Sequence, residues 1–344
     1  MFTDITVEEL LAKQKQNGIT IIDVRSPSEY EEATIPGSLN IPFFNDEERA
    51  EIGTLYKQVS VDTAKKRGLA IISAKLPSFI EQFQEVQGDK AVFCWRGGMR
   101  SRTTATLLSL MDVHVQRLSG GFRSYRKWVV DELSRFEVKP KAVVLNGYTG
   151  TGKTYMLRAL QAEQYPVLDL ERMAGHRGSV FGQVGLTAHN QKIFDSLLLK
   201  ALLEVQDRPY MLMEAESKRI GKVVMPEFLV ASKEQGIQLW IDLPMQERVR
   251  QIINDYEPDK HQETCLAAFR RIKERIHTPI AKQIEADLLA GRFEEAVEQL
   301  LVHYYDPRYE HTAREIAEKD RIVIHAEHVD EALEQVKQVL KQYS

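Results

Sequence analysis

This chain has few cysteines, no long apolar run and only a small net charge. Its 344 residues include two cysteines, Cys94 and Cys265, which lie far apart in the sequence. A disulfide framework is therefore not expected, and a reducing compartment is the default. No apolar run approaches the roughly 20 residues that span a bilayer, and the acidic N-terminal residues do not resemble a signal peptide. We predict a cytoplasmic protein without a membrane partner.

The overall composition excludes little beyond this. Hydrophobic residues make up 43% of the chain and charged residues 28%, with a formal net charge of -4. These values are ordinary for a globular protein, and the length is sufficient for two domains. A net charge of this size neither requires nor excludes nucleic acid, because basic residues can cluster on one face of an acidic protein.

Strands and helices alternate along the chain, which predicts parallel sheets in an α/β fold. An N-terminal parallel-sheet domain is expected over 1–135 and a second α/β domain over 140–344, with a helical segment at about 245–319. The predicted strands of the first domain are 19–24, 91–93 and 113–118. Those of the second domain are 142–146, 166–169, 210–214, 237–241 and 321–324.

The first candidate site is a cysteine in a loop rich in arginine and glycine. The loop reads CWRGGMRS from 94 to 101 and joins a predicted strand to a predicted helix. Backbone amides in such a loop point into one small space, and arginines add positive charge, so the loop suits a tetrahedral anion and a reactive thiolate. The candidate residues are Cys94 as the catalytic group, with Arg96, Gly97, Gly98, Arg100 and Ser101 as the anion loop.

The second candidate site is a Walker A loop. The segment GYTGTGKT from 147 to 154 has the spacing Gly-x4-Gly-Lys-Thr, between a predicted strand and a predicted helix. This context is the one that the motif requires for binding a diphosphate. The candidate diphosphate-binding residues are Gly147, Gly150, Thr151, Gly152, Lys153 and Thr154.

Polar residues that follow the neighbouring strands form a candidate substrate loop. An NTPase usually places an aspartate at the end of a strand beside the Walker loop, whereas the strand at 210–213 ends in Glu214. The alternative interpretation is a solvated loop with a structural histidine. The residues are Asp169, Glu171, His176, Arg177, Ser179, Glu214, Glu216 and Ser217.

Basic residues in the helical segment are candidates for contact with nucleic acid. Such contacts neutralise backbone phosphates. The alternative is a solvated helix face, because acids are interleaved with these residues. The candidates are Arg270, Arg271, Lys273 and Arg275.

Several short segments of the first domain are similar to the rhodanese family. They read IDVRSPSEY at 22–30, IPGSLNIP at 35–42 and LSGGF at 118–122. With the cysteine loop, they cover nearly all of residues 1–130. The resemblance implies that Cys94 carries sulfur or its selenium analogue, and that Asp23 and Arg25 organise the fold.

The chain as a whole resembles the tRNA 2-selenouridine synthase family, in which a rhodanese domain is fused to a P-loop domain. The resemblance rests on both loops, on HRGS at 176–179, on EAESKRIG at 214–221 and on YYDP at 304–307. It implies that the wobble 2-thiouridine of tRNA is S-alkylated with geranyl diphosphate. The geranylthio group is then exchanged for selenium from selenophosphate.

The same resemblance implies a role for each loop. The Walker loop would hold the diphosphate of the prenyl donor without ATP hydrolysis. Cys94 would act as nucleophile or selenium carrier. No permanently bound cofactor is expected. Geranyl diphosphate and selenophosphate are the co-substrates, and Mg²⁺ is a candidate ion without a certain site. The expected partners are the anticodon region of tRNA and an enzyme that supplies selenophosphate.

Two other functions are compatible with these motifs. An ATP-dependent sulfurtransferase acting on tRNA or a small molecule would release phosphate from ATP when its acceptor is present. A regulator that senses nucleotide would bind it tightly and be indifferent to loss of Cys94. The intact loop cysteine and the missing NTPase aspartate disfavour the regulator.

Overall fold

The computed structural model describes residues 2–16, 18–308 and 321–343. The chain divides into two compact units, Met1–Arg135 and Phe136–Ser344. Each unit contains a five-stranded sheet in which all paired strands are parallel. The predicted α/β class is therefore confirmed. In the described part of the chain, no helix is both long and apolar enough to cross a bilayer.

The sheet of the first unit has the strand order β1-β5-β4-β2-β3. Its short outer strands were not predicted, because two or three residues carry no readable periodicity. The strands are β1 (Thr3–Ile5), β2 (Thr20–Asp23), β3 (Leu39–Asn40), β4 (Lys90–Phe93) and β5 (Val115–Leu118). The helices are α1 (Val7–Lys15), α2 (Pro27–Glu32), α3 (Asp46–Gln58), α4 (Val61–Glu85), α5 (Met99–Leu110) and α6 (Gly121–Ser134).

A buried ion pair organises the end of β2. The Arg25 guanidinium contacts the Asp23 carboxylate at 2.6 Å and also donates to the backbone oxygen of Ala33. Its flat face lies 4.3 Å from the ring centroid of Phe122. Both charged side chains are almost fully buried, so each one satisfies the other where water cannot. These contacts agree with a structural role for the pair.

The sheet of the second unit has the strand order β12-β11-β6-β8-β7. Its strands are β6 (Lys141–Gly147), β7 (Val167–Leu168), β8 (Tyr210–Glu214), β11 (Ile237–Asp242) and β12 (Arg321–His325), and a hairpin adds β9 (Arg219–Ile220) and β10 (Val223–Val224). The helices are α7 (Lys153–Ala162), α8 (Leu170–Ala174), α9 (Gln191–Val205), α10 (Glu227–Glu234), α11 (Met245–Tyr256), α12 (Gln262–Arg270), α13 (Thr278–Ala290), α14 (Phe293–Leu300) and a C-terminal helix (Val329–Leu340).

The helical segment builds a hydrophobic cluster of its own. Phe269, Ile284 and Leu300 pack together there with Phe181, which comes from the loop after α8. The second cysteine, Cys265, lies in the same cluster, where burial raises the pKa of its thiol to about 11. A 3-10 turn (Lys273–Arg275) and a π-helical turn (Leu301–Tyr305) interrupt the helices. The last part of the predicted helical segment, 309–319, lies outside the described residues.

The parallel register decides which polar residues meet. Strands β6, β8 and β7 are adjacent and run in the same direction. Their carboxyl ends therefore share one edge of the sheet. The Walker loop continues from β6, Glu214 is the last residue of β8 and Asp169 directly follows β7, so this edge brings them together.

Candidate functional sites in the two units

Cys94 follows β4 at the carboxyl edge of the first sheet. Its side chain is 4% exposed and packs in the hydrophobic cluster that includes Phe43 and Val92. Its Sγ lies 3.2 Å from Ser101 Oγ. Helix α5 begins directly after Gly98, so the loop delivers the thiol beside the free amides of a helix N-terminus.

A second glycine loop fixes the backbone of the cysteine loop. The amide of Phe122 donates to the Cys94 oxygen at 2.9 Å. Gly121 has φ +62°, and a Cβ there would lie 2.2 Å from the Cys94 oxygen and 2.3 Å from the Gly97 nitrogen. Only glycine fits this position. The LSGGF motif therefore holds the cysteine loop in shape.

The arginines of the cysteine loop have different surroundings. Both terminal nitrogens of Arg100 bind the Glu29 carboxylate, so this arginine ties the loop to α2. Arg96 is exposed and forms no ion pair with any residue that the structure describes. An arginine outside the motif, Arg117, donates to the Gly97 oxygen at 2.9 Å. Sequence reasoning missed Glu29 and Arg117, because their role depends on strand and helix packing.

The Walker loop has the backbone geometry of a phosphate cradle. Gly147, Gly150 and Gly152 have φ values of +139°, +84° and +71°, which a residue with a Cβ rarely adopts. Lys153 Nζ donates to the oxygens of Gly147 and Tyr148 at 3.1 and 3.0 Å. Burial lowers the pKa of Lys153. The lysine side chain therefore lies against the backbone of the loop.

Carboxyl groups surround the cradle. Thr154 Oγ1 donates to Glu171 Oε2 at 2.8 Å, and the Glu171 amide donates to Glu214 Oε1 at 2.7 Å. Burial, reinforced by the neighbouring Glu216, raises the pKa of Glu171 to about 8. Burial also raises the pKa of Glu214 well above its ordinary value. The folded structure therefore favours the protonated form of both carboxyl groups.

Carboxyl oxygens are the ligands that a magnesium ion prefers, and they bind it in their ionised form. Within the described ranges, no group of three or more His, Cys, Asp or Glu residues is arranged to hold a metal ion. Two buried oxygens in this region, Asp169 Oδ2 and Glu214 Oε2, have no hydrogen-bond partner. The protein groups of this region that can bear the charge of a diphosphate include the loop amides and Lys153.

Replacing Glu171 by glutamine is expected to stabilise the protein at alkaline pH. The folded state raises this pKa from 4.5 to about 8, so the stability that the protonated group contributes is complete below pH 4.5 and is lost as the pH rises to 8. Glutamine stays neutral and can still accept from Thr154. Calorimetry should show a gain of up to about 5 kcal/mol at pH 8.5, or about 2–4 °C in Tm per kcal/mol, and a much smaller gain at pH 5. An equal gain at both pH values would contradict this.

The candidate loop after α8 is held by its own side chains. The Arg177 guanidinium donates to the backbone oxygens of Val184 and Asp255, both at 2.7 Å. His176 Nδ1 accepts from the Gly178 amide at 3.1 Å, and Ser179 Oγ lies 3.3 Å from the Tyr256 hydroxyl. These contacts fix the loop's conformation.

The same loop touches the acidic turn after β8. A Cβ on Gly178 would lie 2.3 Å from a carboxylate oxygen of Glu216. Ser217 Oγ instead donates to the Arg219 oxygen at 2.6 Å and closes the turn. The structure therefore brings the loop after α8 and Glu216 together beside the Walker loop. The Ser217 hydroxyl does not face them, because it is bound within its own turn.

A narrow apolar cavity adjoins the Walker loop. Its volume is about 50 Å³, and Thr149 of the loop forms part of its wall. The remaining wall comes from the loop after α8 and from the helical segment, including Phe181, Ile252, Leu288 and Leu300. The phosphate cradle thus borders a hydrophobic space within the same unit.

The candidate basic patch is partly neutralised. Arg270 and Lys273 both bind the Glu285 carboxylate. Arg271 and Arg275 are exposed. The patch therefore offers fewer free positive charges than its sequence suggests.

Two family models define the class of this protein as a rhodanese-like domain followed by a P-loop domain. The rhodanese-like domain model matches residues 6–127, and the tRNA 2-selenouridine synthase AAA domain model matches residues 140–283. A crystal structure of the N-terminal domain of a putative ATP/GTP binding protein from Clostridium difficile 630 is 34% identical. It covers 37% of this chain and 99% of that one, with a TM-score of 0.35.

Relatives match over most of the length of the chain. The tRNA 2-selenouridine synthase of Bdellovibrio bacteriovorus is 30% identical over 339 residues, covering 86% of this chain and 89% of that protein. The enzyme of the same name from Nitrosomonas europaea is 32% identical over 272 residues, covering 77% and 69%. The chain belongs to the tRNA 2-selenouridine synthase family.

Proposed function

We propose that this protein is a transferase that converts wobble 2-thiouridine in tRNA to 2-selenouridine, through an S-geranyl intermediate. The names of its relatives support tRNA as the substrate and selenouridine as the product. The wobble base suits such an enzyme because an anticodon loop presents unpaired bases. The donors are geranyl diphosphate and selenophosphate.

We assign a prenyl diphosphate as the donor on the basis of the position of Thr149. This residue belongs to the Walker loop and also lines the apolar cavity. A prenyl diphosphate needs a cradle for its charge and an apolar space for its chain. A nucleotide base would leave polar atoms unpaired in such a space. The cavity, at about 50 Å³, is smaller than ordinary ligand pockets of ~300–1,000 Å³, so its side chains must move apart to admit ten carbons.

The first step is the alkylation of sulfur. The thiocarbonyl sulfur of the uridine attacks C1 of geranyl diphosphate, an S–C bond forms, and the C1–O bond breaks. The electron pair leaves with the diphosphate, which the Walker amides and Lys153 stabilise. The N3 proton of the base passes to water. The sulfur becomes part of a thioether-like leaving group.

The second step replaces that group. The Cys94 thiolate attacks C2 of the base, and the C2–S bond breaks with its electron pair leaving on geranylthiolate, which takes a proton from water. The selenium of selenophosphate then attacks C2 and displaces Cys94. Water cleaves the Se–P bond to give phosphate and 2-selenouridine. No oxidant or reductant is needed.

The test is nucleoside mass spectrometry with purified protein and tRNA that contains 2-thiouridine. Geranyl diphosphate and selenophosphate are omitted in turn, with no ATP present. We expect a geranylated nucleoside when selenophosphate is omitted, and a selenonucleoside with both donors. No product without ATP, together with sulfur or selenium transfer once ATP is added, would favour the ATP-dependent sulfurtransferase.

A further inference from the structure

A cavity of about 690 Å³ lies beside Cys94 in the first unit. Its apolar lining includes Phe43, Phe44, Ile52 and Ile72, from the loop after β3 and from helices α3 and α4. Phe43, Phe44 and Ile72 belong to the same hydrophobic cluster as Cys94 itself. The thiol therefore stands at the boundary between an anion loop and a large hydrophobic space.

Cations also line this cavity. Arg49 and Arg100 share the Glu29 carboxylate. Lys57, Lys65 and Arg96 are exposed and form no ion pair with the residues that the structure describes. An occupant that combines an apolar body with nearby phosphate groups matches this distribution of charge.

The proposed selenium donor does not account for the cavity. A tetrahedral anion uses amides and cations, and it gains nothing from the phenylalanine and isoleucine lining. The volume of about 690 Å³ falls within the ~300–1,000 Å³ of sites that bury whole organic ligands. A nucleobase placed among these side chains would lose the hydrogen bonds of its ring oxygens and nitrogens. A flexible hydrocarbon chain has no polar atoms to lose.

We propose that this cavity binds the geranyl chain of the S-geranylated uridine while selenium replaces sulfur, and so places C2 of the base at Cys94. The inference rests on the proposed function and adds a second prenyl site, separate from the donor cavity beside the Walker loop. Burial of the chain makes the alkylated nucleoside a better substrate than the free thiouridine. Geranylthiol is left in the cavity after the C2–S bond breaks.

The experiment uses the full-length protein, selenophosphate and two synthetic anticodon stem-loops. One carries S-geranyl-2-thiouridine and the other carries S-methyl-2-thiouridine, which has the same leaving atom but no chain to bury. The unmodified protein should favour the geranyl substrate in kcat/KM by ~10². Ile52→Trp, which fills the cavity, should remove most of this preference through KM and leave the rate on the S-methyl substrate within about twofold.

Two further variants make the result interpretable. Leu69→Trp narrows the cavity from α4 at an exposed position, and it should act as Ile52→Trp does. Leu110→Trp, at a leucine that is 75% exposed in the same unit and does not line the cavity, is the matched control and should keep the preference.

The outcomes separate the inference from the function beneath it. If the unmodified protein selenates both substrates equally well, or if Ile52→Trp and Leu69→Trp both keep the geranyl preference, the cavity does not bind the chain. If the unmodified protein does not selenate the S-geranyl substrate at all, the proposed function fails and the prenyl site fails with it.

Discussion

Cys94→Ala is expected to lower the rate of selenium transfer by on the order of 10³-fold, while S-geranylation continues. In the proposed second step the Cys94 thiolate attacks C2 of the base, and alanine cannot do so. With both donors present, mass spectrometry of the tRNA nucleosides should show geranylated uridine accumulating in place of selenouridine. The geranylation rate of the same preparation reports whether the protein is folded.

Cys94→Ser separates chemistry from packing. Serine retains nearly the volume of cysteine and can keep the contact with Ser101, which is 3.2 Å from the sulfur. Selenium transfer should fall as far in this variant as in Cys94→Ala. If either variant selenated tRNA at the normal rate, Cys94 would be a packing residue of the hydrophobic cluster and the proposed second step would be wrong.

Lys153→Ala is expected to have the reciprocal effect. Loss of the ammonium group from the Walker loop removes stabilisation of the departing diphosphate, which should slow geranylation by about 10²–10³-fold. Selenation of tRNA that already carries S-geranyl-2-thiouridine should proceed normally, because that step uses the cysteine loop. Single-turnover rates of both steps, measured separately, give the comparison.

An exposed lysine of the same unit supplies the control. Lys222 is exposed, and Lys222→Ala should leave both rates unchanged. An undiminished geranylation rate in Lys153→Ala would remove the Walker loop from the first step. An equal fall in the rates of both steps would mean that the cysteine loop and the Walker loop do not act independently.

Most of the fold could be predicted from the sequence. The buried strands β2, β4, β6 and β8 are short, largely apolar runs, and the structure has strands at each of these places. The two-residue strand β3 and the β9–β10 hairpin were not predictable, because such short elements form only when a neighbouring strand supplies hydrogen bonds. The C-terminal helix (Val329–Leu340) buries Val329, Leu333, Val336 and Leu340, which is the face that amphipathic spacing indicates.

The two candidate sites could be predicted only in part. Spacing alone identified the cysteine loop and the Walker loop, since each motif is local. It did not show that Arg100 is bound to Glu29, or that Arg177 is bound to backbone oxygens of its own loop and of α11. In the sequence, Arg100 was a candidate of the anion loop and Arg177 a candidate of the substrate loop. Their partners lie 71 positions away for Arg100 and as far as 78 positions away for Arg177.

The sequence by itself determined the class of fold and the family, and it located the cysteine loop and the Walker loop. Strand patterns and loop motifs can be recognised there because each depends on residues that are close together in the chain. Only the tertiary structure decided where the apolar cavities lie and which carboxyl groups have a raised pKa. A cavity is a space between helices and strands that are distant in the sequence. The pKa of Glu171 is raised by burial and by Glu216, and these two residues are close because β7 and β8 are parallel neighbours. Those properties arise from packing, which no local pattern records.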